Sequence, residues 1–300
     1  MLQAFDERNR DLVVNVGGRL VHRDAAGVSP FDSVVQGGDA VWEGLRLYGG
    51  RIFALDEHLA RLQRSARALA FDEVPSVAEL TDQVRRTLAA NDMRDDVHVR
   101  LTLTRGVKIT SGMDPRLNQS GPTLIVLAEH KSPVYDLTGI TLVTSSVRRS
   151  RPDSLDPKIH HNNLLTSILA KIEANVAGAD DALMLDDAGF VAETNATHVF
   201  LAADSVVRTP TTRACPEGIT RSTVLRVCTA EGIACEVGDW SLTDVYTADE
   251  VFVTGTMGGL APVVAVDGRP IGSGQPGPLT ARLISAYARL TGTSGTPITA

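Results

Sequence analysis

Apolar residues recur along this chain at two periods, and the switches between them outline its elements. Residues 12–16 and 20–22 alternate as strands do, and residues 41–48 and 51–55 flank Gly49-Gly50 as the arms of a hairpin. From Leu55 the period lengthens. Leu55, Leu59, Leu62, Ala66 and Leu69 fall on one stripe of a helix whose first turn holds Asp56 and Glu57, and a second helix over residues 76–91 opens on Ser76 as its N-cap. Strand alternation returns at residues 97–104 and 123–128, with a polar loop over 107–121 between them long enough to be functional. Lys131, Ser132, Pro133 and Asp136 then break the pattern, which places a linker at 129–139.

The second part opens with a strand at 140–147 and a loop at 149–157, and Lys158 follows immediately before a helical run over 161–178. Within that run Leu164, Leu165, Ile168, Leu169, Ile172 and Val176 recur at helical spacing. A hairpin over 182–192 turns at Asp186-Asp187-Ala188-Gly189; helices at 218–232 and 242–247, a strand at 251–254, a hairpin turning at Asp267-Gly268 and a last helix at 278–290 complete the order. Strands and helices mix without strict alternation, which predicts an α+β fold of two domains: residues 1–128 small, 129–139 linking, 140–300 large.

Composition narrows the function. A net charge of −7 with dispersed Lys and Arg argues against a nucleic-acid surface. Cys215, Cys228 and Cys235 are odd in number and lack metal spacing, so neither a disulfide framework nor a metal site is expected. The N-terminal residues lack the pattern of a signal peptide and no apolar run approaches the ~20 residues of a membrane span, which predicts a cytoplasmic protein without membrane partners.

The candidate chemistry begins with Lys158 in Pro157-Lys158-Ile159-His160-His161-Asn162-Asn163 and Glu193 in Ala192-Glu193-Thr194-Asn195-Ala196-Thr197. An imine-forming lysine needs a site that leaves its amine partly uncharged, and a carboxylate can tune a heterocycle by hydrogen-bonding its nitrogen. Taken alone, Lys158 is also what a surface lysine before a helix looks like. Gly218-Ile219-Thr220-Arg221 offers amides at a helix start, where the dipole favours anions, and Gly255-Thr256-Met257-Gly258-Gly259 ends a strand in small residues that let a phosphate or carboxylate approach. Arg61 reads as a mid-helix residue opposite the apolar stripe, suited to solvent or to phosphate.

In order and spacing these segments resemble the class IV, or fold type IV, pyridoxal phosphate aminotransferases: branched-chain aminotransferases, D-amino acid transaminases, (R)-amine transaminases and aminodeoxychorismate lyases. The likeness runs through Gly37–Tyr48, Asp56–Leu62, Thr104-Arg105-Gly106, Lys158 with its helix, Asp186–Phe200, Pro216–Arg221 and Gly255–Pro262. It implies pyridoxal 5'-phosphate as cofactor, Lys158 as the residue that carries it and shuttles the proton, Glu193 on the ring nitrogen, and Arg61, Ile219, Thr220 and Thr256 on the phosphate, with Asn195 in the same cofactor-binding segment. It further implies a small N-terminal and a larger C-terminal domain, a homodimer, and small-molecule partners: an amino donor and a 2-oxo acid.

The substrate side mixes two patterns. Gly44 and Arg46 follow the branched-chain enzymes, Trp42 is bulkier than their phenylalanine, His98 replaces a frequent tyrosine, and Arg100 keeps the arginine two residues on. Leu164 stands where those enzymes carry a tyrosine; the segment after Lys158 is one residue longer and is similar to D-amino acid transaminases. Arg116 resembles the loop arginine that grips a carboxylate in D-amino acid enzymes, and Met257 a pocket wall. The resemblance therefore implies transamination of D-amino acids or (R)-amines, L-branched-chain amino acids close behind, with pyruvate-releasing lyase chemistry as the alternative.

Overall fold

The computed structural model describes residues 3–298 and divides the chain into two compact units. The first holds the chain up to Ser132, then Ile159–Asn163, then the residues from Thr291. Its strands β1 (Val13–Val16), β2 (Arg19–His22), β3 (Ala40–Tyr48), β4 (Arg51–Ile52), β5 (Val97–Thr104) and β6 (Thr123–His130) join a final strand, Thr296–Pro297, in one antiparallel sheet. Helix α1 (Ser33–Gly37) precedes β3, and α2 (Leu55–Ala68) and α3 (Val77–Ala90) supply the helical layer. Ser76 and Glu79 close a capping box at the start of α3, as the sequence predicts for its N-cap. Leu55, Leu59, Leu62 and Ala66 of α2 pack with Val41, Leu45, Leu47, Val99 and Leu101 in one buried core.

The second unit holds Pro133–Lys158 and Leu164–Leu290. Strands β7 (Ile140–Thr144), β8 (Asp181–Leu185), β9 (Val191–Thr194), β10 (His198–Ala203), β11 (Val206–Pro210), β12 (Cys235–Gly238), β13 (Glu250–Gly255), β14 (Gly259–Val266) and β15 (Arg269–Pro270) form a mixed sheet in the order β12-β11-β10-β13-β14-β7-β8-β9, with β15 on β14. Strand β9 ends this sheet yet leads directly into β10 near its other end, so the sheet must curl back on itself. Helices α4 (Leu165–Ala177), α5 (Ile219–Ala230), α6 (Leu242–Tyr246) and α7 (Pro278–Thr293) accompany it.

Several boundaries differ from the sequence expectation, three of them for a reason visible in the pairing. Strand β6 runs on to His130, into the expected linker, because the Asn9 side chain bonds both the N–H and the C=O of His130 at 2.8 Å. The strand expected at 140–147 stops at Thr144. Helix α4 starts only at Leu165, because residues 160–162 are drawn off to pair with β3. The chain after residue 139 is not one domain: Ile159–Asn163 and the segment from Thr291 belong to the first unit, through those pairings and the pairing of Thr296–Pro297 with β4.

Helix α4 also turns its stripe the other way. Small Ala170 and Ala174 face Ala182 and Met184, while Leu165, Ile168, Leu169, Ile172 and Val176 are exposed, from 51% to 85%. Among the described residues no helix is long and apolar enough to cross a membrane.

Candidate active site

In the second unit the predicted site residues gather where β9, β10 and β13 meet the start of α5. Strand β9 pairs Glu193 with Met184 of β8, and three residues of turn lead to His198, which lies opposite Thr254 of β13. Glu193 is buried, and its Oε1 lies 2.9 Å from Arg149 Nε, with His198 Nδ1 3.9 Å from Oε2. Arg149 also donates to the Ala214 carbonyl at 3.3 Å, which fixes its fork.

Gly218 is the N-cap of α5, and no side chain caps it. A Cβ at Gly218 would stand 2.2 Å from His198 Nε2, so the packing of that ring requires glycine here. The first amides of α5, on Ile219 and Thr220, are thus left for a ligand, the arrangement that binds phosphate groups. Buried beside them, Arg221 Nε and, on β13, Thr254 Oγ1 have no hydrogen-bond partner. Thr256-Met257-Gly258 makes the tight turn between β13 and β14, and a Cβ on Gly258 would press to 2.4 Å on the ring of Tyr135, whose hydroxyl donates to Asp181 at 2.5 Å.

Cys215 ties these parts into one neighbourhood. Its Sγ lies within 4.8 Å of ligand atoms of Glu193 and His198. Burial, then the charge of Glu193, pushes its thiol up, against the pull of Arg221, Arg149 and Lys158. Glu, His and Cys at this spacing could frame a metal ion. The positive charge of Arg149, Arg221 and Lys158 around them suits an anionic ligand better. An uncapped helix start, orphaned buried donors and a carboxylate held ready for a protonated ring nitrogen fit pyridoxal 5'-phosphate. Lys158 sits in an exposed turn, its N–H on Asp156 Oδ1 at 2.9 Å.

The first unit brings together the substrate-side residues. On adjacent strands, Gly44 faces Arg100 and Arg46 faces His98 in register, with Trp42 two residues before Gly44. The Arg100 guanidinium lies 4.0 Å over the Trp42 ring and donates to Asn162 Oδ1 at 2.7 Å, and His160 stacks on Trp42 at 4.4 Å. Gly44 leaves room for His98, whose Nε2 would lie 3.1 Å from a Cβ there and is unpartnered. Burial, then Lys131, Arg46 and Arg100, lowers the His98 pKa to about 3, so the ring is neutral.

Several sequence assignments meet a different geometry. Arg46 is committed to the Lys131 carbonyl at 2.6 Å and to Asp96 at 3.1 Å, which closes the end of the sheet. Asn195 spends its amide on the Ala182 N–H (2.7 Å) and on Asp181 (3.2 Å), bracing β8. Arg116 is exposed and folded back on Asp114 at 2.5 Å in a single helical turn. Arg61 lies buried against Glu43, not on a solvent face, its Nε and Nη2 each 2.7 Å from a carboxylate oxygen.

Arg149, His198, Glu43 and His160 carry no functional reading in the sequence, and Cys215 is read there only as belonging to no disulfide framework or metal site. For Glu43 a signal existed: it breaks the inward row Val41, Leu45, Leu47, where an acid must have buried partners.

Comparison with known proteins accords with this geometry. Residues 40–266 match the family model of the class IV amino-transferases. A branched-chain-amino-acid aminotransferase-like protein 2 of Arabidopsis thaliana is 56% identical over 97% of this chain, and the chain spans 52% of that protein's length. The D-alanine aminotransferase of Bacillus licheniformis is 34% identical over 90% of the chain and 93% of its own. The crystal structure of the T.th. branched-chain amino acid aminotransferase, complexed with N-(5'-phosphopyridoxyl)-L-glutamate, superposes with a TM-score of 0.88 at 31% identity, covering 94% of this chain and 95% of that one. The same enzyme has been solved with pyridoxamine 5'-phosphate. The chain belongs to the class IV amino-transferases, a fold type IV family of pyridoxal phosphate-dependent enzymes.

Proposed function

We propose that this protein transfers an amino group from an amino acid to a 2-oxo acid in two half-reactions, with Lys158 as its catalytic residue. The supporting observation is the pairing, in one unit, of a buried, arginine-held carboxylate, Glu193, with the uncapped start of α5. When bound, pyridoxal 5'-phosphate supplies an aldehyde for an amine and a ring that accepts electrons from the donor's α-carbon. Lys158 Nζ takes the proton from that carbon and returns it during exchange. Glu193 holds a proton on the ring nitrogen, and Arg149 keeps the carboxylate in place. The amides of Ile219 and Thr220 and the hydroxyls of Thr220 and Thr256 bind the phosphate, and the family resemblance alone adds Arg61 to them.

For the donor, Arg100 offers a carboxylate a guanidinium already flattened on Trp42. This favours amino acids over simple (R)-amines. Arg116, one of the residues that favoured D-amino acids, is occupied by Asp114 and exposed, so L-branched-chain donors move ahead of D-amino acids. A panel of D-alanine, L-leucine and (R)-phenylethylamine, each with pyruvate and 2-oxoglutarate, tests the order; fastest turnover of (R)-phenylethylamine would overturn it. Pyruvate release from aminodeoxychorismate without an acceptor would replace transfer by lyase chemistry.

The enzyme works as a homodimer in this reading. The stripe on α4 is apolar and exposed along its length, a surface that a second copy would cover. Its three cysteines are unpaired, in keeping with a cytoplasmic setting. With cofactor bound, a visible absorption band should vanish on borohydride treatment while the cofactor's mass becomes fixed on Lys158; a Lys158→Ala variant that keeps band and turnover would refute the assignment.

A further inference from the structure

We infer that Glu43 is the positioning residue for the cofactor's phosphate, acting through Arg61. The inference rests on the reading that Arg61 holds that phosphate. Glu43 is wholly buried, with His58 at 2% and Arg61 at 6% exposure. Its Oε1 accepts from Arg61 Nε and its Oε2 from Arg61 Nη2, both at 2.7 Å, and Oε2 takes a third bond from His58 Nδ1 at 2.7 Å. A carboxylate only accepts, so His58 carries its proton on Nδ1.

His160 completes the cluster, its Nδ1 3.4 Å from Glu43 Oε1 and bonded to the Trp42 carbonyl. Burial, then the charge of Arg61, holds the His160 ring below its usual pKa, with Glu43 opposing, so it stays neutral. Burial alone would raise the Glu43 carboxyl, but the charge of Arg61 and the bonds from Arg61 and His160 hold it well below the usual range. Glu43 and Arg61 thus form a buried carboxylate–guanidinium pair flanked by two histidine rings.

This arrangement does two things for an anion-binding arginine. A guanidinium on a flexible stem ordinarily loses rotamer freedom when it binds; here two parallel bonds to Glu43 have already fixed its plane. The pair is also neutral, so the arginine stays buried without an anion to balance it. Glu43 touches no substrate or cofactor atom in this account; its effect is orientation.

The test is the dissociation constant of the full-length apoprotein for pyridoxal 5'-phosphate and for pyridoxal, read by absorbance, with the melting temperature measured without cofactor. Glu43→Asp keeps the charge but withdraws the carboxylate, and Glu43→Gln keeps the shape but removes the charge. Each should weaken pyridoxal 5'-phosphate binding about tenfold or more and leave pyridoxal binding within about twofold, because only the phosphate depends on Arg61. Arg61→Ala should weaken it at least as much, and the double variant Glu43→Gln/Arg61→Ala should be no weaker than Arg61→Ala alone. Wild-type affinity in a folded Glu43→Asp, or losses that multiply in the double variant, would overturn the inference while leaving Arg61 in its role. Unchanged affinity in Arg61→Ala would remove the phosphate reading itself. If Glu43→Gln does not fold, Glu43→Asp decides.

Discussion

Each unit buries a glutamate with an arginine and a histidine, yet the two clusters differ in completeness. Around Glu43 three bonds of 2.7 Å come from Arg61 and His58, with His160 at 3.4 Å. Around Glu193 the histidine stands off at 3.9 Å, and the neighbouring Arg221 Nε and Thr254 Oγ1 have no partner. The same residue types serve two ends: a closed cluster fixes a side chain, and an open one leaves donors for a ligand. Unsatisfied buried polar atoms cost stability, and the two beside Glu193, Arg221 Nε and Thr254 Oγ1, are groups that a bound ligand would satisfy.

The largest expected effect breaks this contrast in catalysis. Glu193→Gln should lower kcat about a hundredfold or more at saturating cofactor, whereas Glu43→Gln, saturated with cofactor, should lose much less; equal losses would erase the distinction. Stability should rank the clusters the other way. Urea unfolding of the apoprotein should show Glu43→Ala losing about 3–5 kcal/mol, since it strands Arg61 in a closed site, and Glu193→Ala losing less.

Gly218→Ala, whose Cβ meets the His198 ring, should cost about 1–3 kcal/mol and weaken cofactor binding along with it. A variant of wild-type affinity would show that α5 does not need that close approach.

Opposite in sign are two pH effects. His98 binds its proton less readily when folded, with a pKa lowered from 6.5 to about 3, so the unfolded chain takes up more protons and stability falls as pH drops from 6.5 towards 3. Cys215 is raised from 9.0; above pH 9 the unfolded chain loses the proton first, and stability falls as pH rises. His98→Gln should flatten the acid limb of a melting-temperature profile and Cys215→Ala the alkaline one.

Much of this is legible in the chain. Period-two alternation locates β5 at its observed bounds, and Ser76 announces α3. Lys158, Glu193 and the start of α5 stand out because glycine and isolated charges interrupt apolar patterns. What stays hidden is pairing across distance. Arg149 is an ordinary loop arginine until β9 brings Glu193 to it, and His198 acquires meaning only from the missing Cβ of Gly218. Arg61 reads as suited to solvent or to phosphate because a helical stripe shows which side is apolar, not that β3 sends a carboxylate to meet it. On α4 helical spacing is the same whether large residues face the core or face outward, and here alanines take the inside.

The pairing of residues 160–162 with the edge of β3, and of Thr296–Pro297 with β4, has a consequence for biosynthesis. A ribosome releases β3 and β4 long before those partners, so for most of translation this edge has open hydrogen-bonding groups, a template for pairing with other chains. The first unit is begun first and finished last. Its slow step should be long-range closure by segments made late, and chaperone demand should fall on nascent chains ending between β4 and residue 160.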